Sequence, residues 1–128
     1  MIRRAVLALT ACLAIAGAAS AGPVLAPTGD MSLGNPKAKV KVVEVASASC
    51  GHCAAFNNEV FPAFKKKYID TGRVHYTLRE LLTQPTEVAA AGFITARCAG
   101  KDKYFTVVDA FFHGFDEMAR TGKAMDNL

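Results

Sequence analysis

The sequence predicts an α/β fold built around one parallel pair of strands, and three observations carry this. Residues 40–46 (VKVVEVA) form a strand-like run rich in β-branched side chains. Residues 50–69 then show a helical pattern, with Phe56, Val60, Phe64 and Tyr68 at four-residue steps. Residues 73–80 (RVHYTLRE) alternate as a second long strand. Two strands joined by a helix form a βαβ unit, which implies parallel pairing and a right-handed crossover.

The other elements follow in chain order. Residues 1–21 have the make-up of an export leader. Arg3 and Arg4 precede an apolar run, and Ala19-Ser20-Ala21 is the small-x-small pattern that precedes cleavage after Ala21. The alternatives are an uncleaved membrane anchor and a lipoprotein modified at Cys12. The apolar run is Ala/Gly-rich and shorter than a span of about 20 residues requires. Residues 22–29, with Pro23 and Pro27, read as a linker, and residues 30–118 as the domain. Met31, Ser32 and Leu33 suit a short edge strand, broken by Gly34-Asn35-Pro36. Strand 39–46 is expected to be partly buried on both faces. Pro62 interrupts the following helix, and Thr71-Gly72 ends it. Two more helices are expected, over 86–99 and 102–118. The second has Tyr104, Val108, Phe111 and Phe115 on one stripe and Asp102 as N-cap. Residues 119–128 show no apolar period and form a tail.

Charge excludes little and favours no nucleic acid. The whole chain carries +4, and removal of the leader with its two arginines leaves +2. Lys65-Lys66-Lys67 is the sole basic run, late in a helix where cations suit the dipole; a nucleic-acid surface would need a broader basic stripe. Export implies an oxidising compartment. Cleavage removes Cys12 and leaves Cys50, Cys53 and Cys98, too few and odd in number for a disulfide scaffold.

The chemistry concentrates at Cys50-Gly51-His52-Cys53. A C-x-x-C pair between a strand and a helix is the redox arrangement of the thioredoxin fold. Unpaired N–H groups at the helix start favour a thiolate on the first sulfur, and His52 can add a positive charge or a hydrogen bond. A purely structural disulfide closes too small a loop to constrain the unfolded chain much. A zinc site lacks a second C-x-x-C or a paired-histidine motif. Glu44 sits among apolar neighbours. Burial would raise its pKa and suit it to pass a proton to or from Cys53, whereas the plainer reading has it facing solvent. Cys98 lies among alanines near Phe93 and Ile94 and is expected to pack in the core.

Several segments together resemble the DsbA family of periplasmic thiol–disulfide oxidoreductases. They are Asp30-Met31-Ser32-Leu33-Gly34-Asn35-Pro36, Glu44-Val45-Ala46-Ser47-Ala48-Ser49-Cys50-Gly51-His52-Cys53, Phe61-Pro62-Ala63-Phe64 through Gly72, Arg79-Glu80, and Ala96-Arg97-Cys98-Ala99. The resemblance implies a thioredoxin-like α/β fold and no cofactor. It implies Cys50 as attacking cysteine, Cys53 as resolving cysteine and Glu44 as the buried acid beneath them. Its implied partners are exported proteins with free thiols and a membrane redox partner. Gly51-His52 departs from the family's frequent Pro-His and is shared with protein disulfide isomerase, so a reductase or isomerase is the alternative direction. The family also has a cis-proline loop followed by further strands, yet no proline follows Pro85. The fold is therefore expected to be incomplete, a βαβ half plus inserted helices. Apolar helix faces left wet by such a truncation would make the chain a poor enzyme, or a non-catalytic thiol- or metal-binding fragment.

Overall fold

The computed structural model describes residues 28–121. The leader, its cleavage site, most of the 22–29 linker and the end of the 119–128 tail lie outside the described residues. The elements are β1 (Met31–Gly34), β2 (Val40–Ala46), a long helical run, β3 (Val74–Glu80), α3 (Thr86–Cys98) and α4 (Tyr104–Thr121). The helical run is α1 (Gly51–Ala55), a π turn (Phe56–Val60), α2 (Phe61–Phe64) and a second π turn (Lys65–Ile69).

The expected βαβ unit is present. β2 pairs parallel with β3 from Val40↔Val74 to Ala46↔Glu80. β1 pairs antiparallel on the other side, from Met31↔Leu78 to Gly34↔His75. The order β1-β3-β2 makes β3 the central strand, with β1 and β2 at the two edges. Alternation along β3 buries Val74, Tyr76 and Leu78 on one face. The helices pack there, with Ala54, Ile69, Phe93, Ala96, Tyr104, Val108 and Phe112 joining Met31 and Ala46 in one core. On the opposite face Ser32 and Thr77 share a hydroxyl hydrogen bond of 2.9 Å. The expected two-sided burial of β2 does not hold, because Val43 and Val45 are 51% and 54% exposed on this uncovered face.

Pro62 has a larger effect on the helix than a kink. It lacks the N–H that would complete an ordinary turn. The chain answers with a π turn, in which the Phe61 N–H donates five residues back to the Phe56 carbonyl. That extra residue rotates the stripe. Val60 turns outward, 49% exposed, and Phe61 takes its place with its ring 5.0 Å from that of Tyr76.

α4 begins at Tyr104, so Asp102 lies in the preceding turn, and the helix continues through Thr121 into the expected tail. Phe112 is buried where Phe111 was expected to lead, and Phe111 is half-buried instead. Phe111 instead lies against Gly92 on α3. A Cβ there would lie 3.0 Å from the Phe111 ring and 2.8 Å from Ala48, so only glycine admits this close approach of α3 to α4 and the active turn. At the other end of α3, Arg97 donates to the Glu80 carboxylate at 2.8 and 3.0 Å, and the Tyr104 hydroxyl donates to the same group at 2.8 Å. This half-buried cluster fixes the end of β3 to both helices.

Candidate redox site

β2 ends at Ala46 and delivers the chain into Ser47-Ala48-Ser49, all buried. Cys50 follows as the N-cap of α1, in extended conformation at φ −101° and ψ 113°. This geometry points its sulfur at the open first turn, where the Cys53 N–H donates to Cys50 Sγ at 3.3 Å. Both cysteines are free thiols and half-buried. Cys53 packs against the hydrophobic core one turn on. His52 is exposed in that same turn, and the donor that reaches the sulfur is the backbone of Cys53 rather than the imidazole.

The two sulfurs have different surroundings. Burial, reinforced by a hydrogen bond with Cys50 and by the charges of Cys50 and Glu44, pushes the Cys53 thiol from 9.0 up to about 11. A backbone hydrogen bond from Ser47 opposes this without reversing it. Cys53 is therefore a thiol at neutral pH.

Glu44 lies on the inward face of β2, half-buried rather than solvated. Burial raises its pKa, and the Tyr76 hydroxyl, which donates to Glu44 Oε2 at 2.5 Å, partly offsets the rise. Glu44 also lines a cavity of about 350 Å³ walled by Phe61, Tyr76, Phe105 and Phe112, whereas neither cysteine lines it. A raised carboxyl binds its proton more tightly in the folded chain than in the unfolded one. Its contribution to stability is full below the ordinary carboxylate range and is lost as pH rises through the folded value. Glu44→Gln keeps an acceptor for Tyr76 and cannot ionise. It is expected to melt above the wild type at pH 7 and together with it at about pH 3. A variant that melts lower at pH 7 would reject a Glu44 carboxyl whose pKa is raised by burial.

The seat of the active turn involves residues that sequence reasoning passed over. Ser47 Oγ accepts from the Thr83 N–H at 3.2 Å and from the Thr83 hydroxyl at 2.9 Å. Ser49 Oγ donates to the Thr83 carbonyl at 3.1 Å. The loop before α3, which contains a cis Gln84–Pro85 peptide, is thereby tied beneath the cysteines. Two hydroxyls just ahead of a C-x-x-C were the available signal. Cys98 corrects an expectation: it is exposed at the end of α3, because Phe93 and Ala96 take the inward face of that helix.

A strand leading into an N-capping C-x-x-C, with an acid on the inward face behind it, defines a thioredoxin-fold thiol site. The chain belongs to the thioredoxin family, whose model, described as "Thioredoxin", matches residues 27–127. In fold it is DsbA-like. It superposes on a T172V variant of Wolbachia pipientis alpha-DsbA1 with a TM-score of 0.63 and 34% identity, covering 73% of this chain and 46% of that one. A protein-disulfide isomerase from Novosphingobium aromaticivorans gives a TM-score of 0.65 at 27% identity, covering 75% and 47%. A Rickettsia conorii protein named as a protein-disulfide oxidoreductase is 47% identical over 77 residues, which cover 60% of this chain and 27% of the relative. The chain thus spans about a quarter of that relative and less than half of each of these structures.

Proposed function

We propose that the chain is a thiol–disulfide oxidoreductase of DsbA type, exchanging a Cys50–Cys53 disulfide with the thiols of exported proteins. The observation that carries this is the unlike setting of the two sulfurs. Cys50 stands at the helix start with an N–H aimed at it, while burial and neighbouring charge keep Cys53 protonated. In the oxidising direction a substrate thiolate attacks Cys50 Sγ. The Cys50–Cys53 bond breaks, and its electron pair leaves on Cys53, which takes a proton from Glu44. A second substrate thiolate then attacks the substrate sulfur of the mixed disulfide, and Cys50 leaves as a thiolate stabilised by the N–H groups of the helix start. The substrate has lost two electrons and the enzyme has gained them, so no cofactor is required. A membrane redox partner restores the disulfide.

The leader-like residues 1–21 support a periplasmic site for this chemistry, with cleavage behind Ala21. Among the described residues no helix is long and apolar enough to cross a membrane. Gly51-His52 and the likeness to a protein named as an isomerase favour the reverse or shuffling direction as a second reading. The test follows stoichiometry. The oxidised full chain, mixed with a reduced unfolded protein, is expected to form one substrate disulfide for each Cys50–Cys53 disulfide consumed, and Cys50→Ser is expected to abolish this. A folded wild-type chain that transfers no disulfide would refute the proposal. Faster transfer from the reduced chain to a disulfide substrate would favour the second reading.

A further inference from the structure

The charge of the folded chain is strongly segregated along the strand direction. β2 starts at Val40 and ends beside the cysteines, and β3 runs parallel to it, so the starts of both strands form the end remote from Cys50. Six strand-rises of about 3.3 Å separate Val40 from Ala46. The loop before β2 and the end of the helical run meet at this remote end. Asn35 lies 3.8 Å from where a Gly72 side chain would start, and the Arg73 N–H donates to the Tyr68 carbonyl. Lys37, Lys39 and Lys41 come from one side of this junction, and Lys65, Lys66, Lys67 and Arg73 from the other. All but Lys65 are exposed, and Asp70, paired with Lys65 at 2.7 Å, is the single acid among them. Seven of the twelve lysines and arginines of the described residues therefore share this end with one of the ten acids. The end carries +6, and the remainder of the described residues carries −4.

A solvated lysine run on one helix would not produce this. Three separate segments converge, and only one acid, Asp70, shares the end with them. Lys41 donates to the Pro36 carbonyl, while Lys67 and Arg73 both lie 5.3 Å from the Tyr68 ring centre, so part of the array is held in place. Six of the seven cations are lysines, compact point charges without the planar fork that suits bidentate recognition. The array is spread over a loop, a strand start and a helix end rather than along one continuous stripe of the kind a nucleic-acid backbone follows. Such a surface fits a plane of negative charge.

We propose that this end docks reversibly on anionic phospholipid surfaces, leaving the Cys50 end turned toward solution. The inference does not depend on the thiol chemistry. Attraction of a polybasic patch to anionic lipid falls off within a Debye length and is weakened by salt.

The experiment measures sedimentation of the full chain with phosphatidylcholine vesicles, without and with about one third phosphatidylglycerol. Anionic lipid is expected to raise the affinity about a hundredfold at ~0.05 M salt, and the rise is expected to vanish by ~0.5 M. The quadruple variant Lys37→Glu, Lys39→Glu, Lys66→Glu, Lys67→Glu should lose the rise. The corresponding four glutamines should show an intermediate value, and Lys101→Glu with Lys103→Glu, outside the array, should leave it unchanged. Residues 1–21 are the same in every variant, so the differences report on the array alone. The glutamine variant keeps the test valid if the reversed charges disturb folding. No rise with anionic lipid, or a rise that survives in the quadruple variant, would overturn the proposal. Capture of duplex DNA with equal strength and equal dependence on the four lysines would overturn the assignment to lipid.

Discussion

Cys53→Ser, in a chain whose Cys12 and exposed Cys98 have both been replaced by alanine, is expected to become covalently attached to disulfide-bearing proteins. Cys50→Ser in the same background is expected to stay free. The N–H that reaches Cys50 Sγ at 3.3 Å belongs to the backbone of residue 53, so the substitution leaves the attacking sulfur's surroundings intact. It removes only the thiol that would resolve the mixed disulfide. The remaining cysteine of Cys50→Ser is the half-buried one whose thiol is pushed up to about 11, and it supplies little thiolate at neutral pH. Non-reducing gels and intact mass should show at least about a tenfold excess of adduct for Cys53→Ser over Cys50→Ser. Equal adduct from both would reverse the roles assigned to the two sulfurs.

Gly34→Ala is expected to cost more stability than any conservative change at the redox site. Gly34 closes β1 at φ +84°, a left-handed conformation that costs a residue with a Cβ roughly 1–2 kcal/mol. Space adds to the strain. The new Cβ would meet the Val74 carbonyl oxygen, a backbone atom at the head of the central strand, at 2.4 Å, and Ile69 Cγ2 at 3.0 Å. Neither can withdraw without moving β3 or the second π turn. The combined loss is expected to reach about 3 kcal/mol, a fall in melting temperature of roughly 15 °C for a domain of this size. By contrast Gly29→Ala, with φ +82° and open space around it, should show the conformational cost alone. Equal effects from the two substitutions would show that the contact with Val74 does not govern stability.

Strands and helices were legible where a period could be read against a single buried face. Val74, Tyr76 and Leu78 alternate cleanly, and β3 was placed within one residue. Strand order was not legible, because β-branched runs look alike whether one edge or both are paired. β2 was expected to be covered on both sides and carries exposed valines instead. The π turns escaped notice for a physical reason. A proline announces a missing N–H, but the sequence does not say whether the chain will kink or take up an extra residue, and this choice decided between Val60 and Phe61. Of the candidate site, Cys50, His52 and Cys53 fall on one turn, and Glu44 comes behind them by strand register. Ser47, Ser49 and Thr83 were not seen, since their hydrogen bonds span about a quarter of the chain. Cys98 was misplaced because an alanine-rich helix gives little clue to which side faces inward.

The hydroxyl network under the cysteines means that the reactive turn is not a portable motif. Ser47 and Ser49 find their partners at Thr83 and Gln84, beyond the far end of β3. A nascent chain that has made residues 40–69 holds every residue of the C-x-x-C loop and the helix below it. It still lacks the strand that orders the sheet and the loop that seats the turn. Thiol chemistry of the folded kind can begin only once residues 74–84 have been made and docked. The seat of the dithiol is thereby completed only by the chain that follows the central strand.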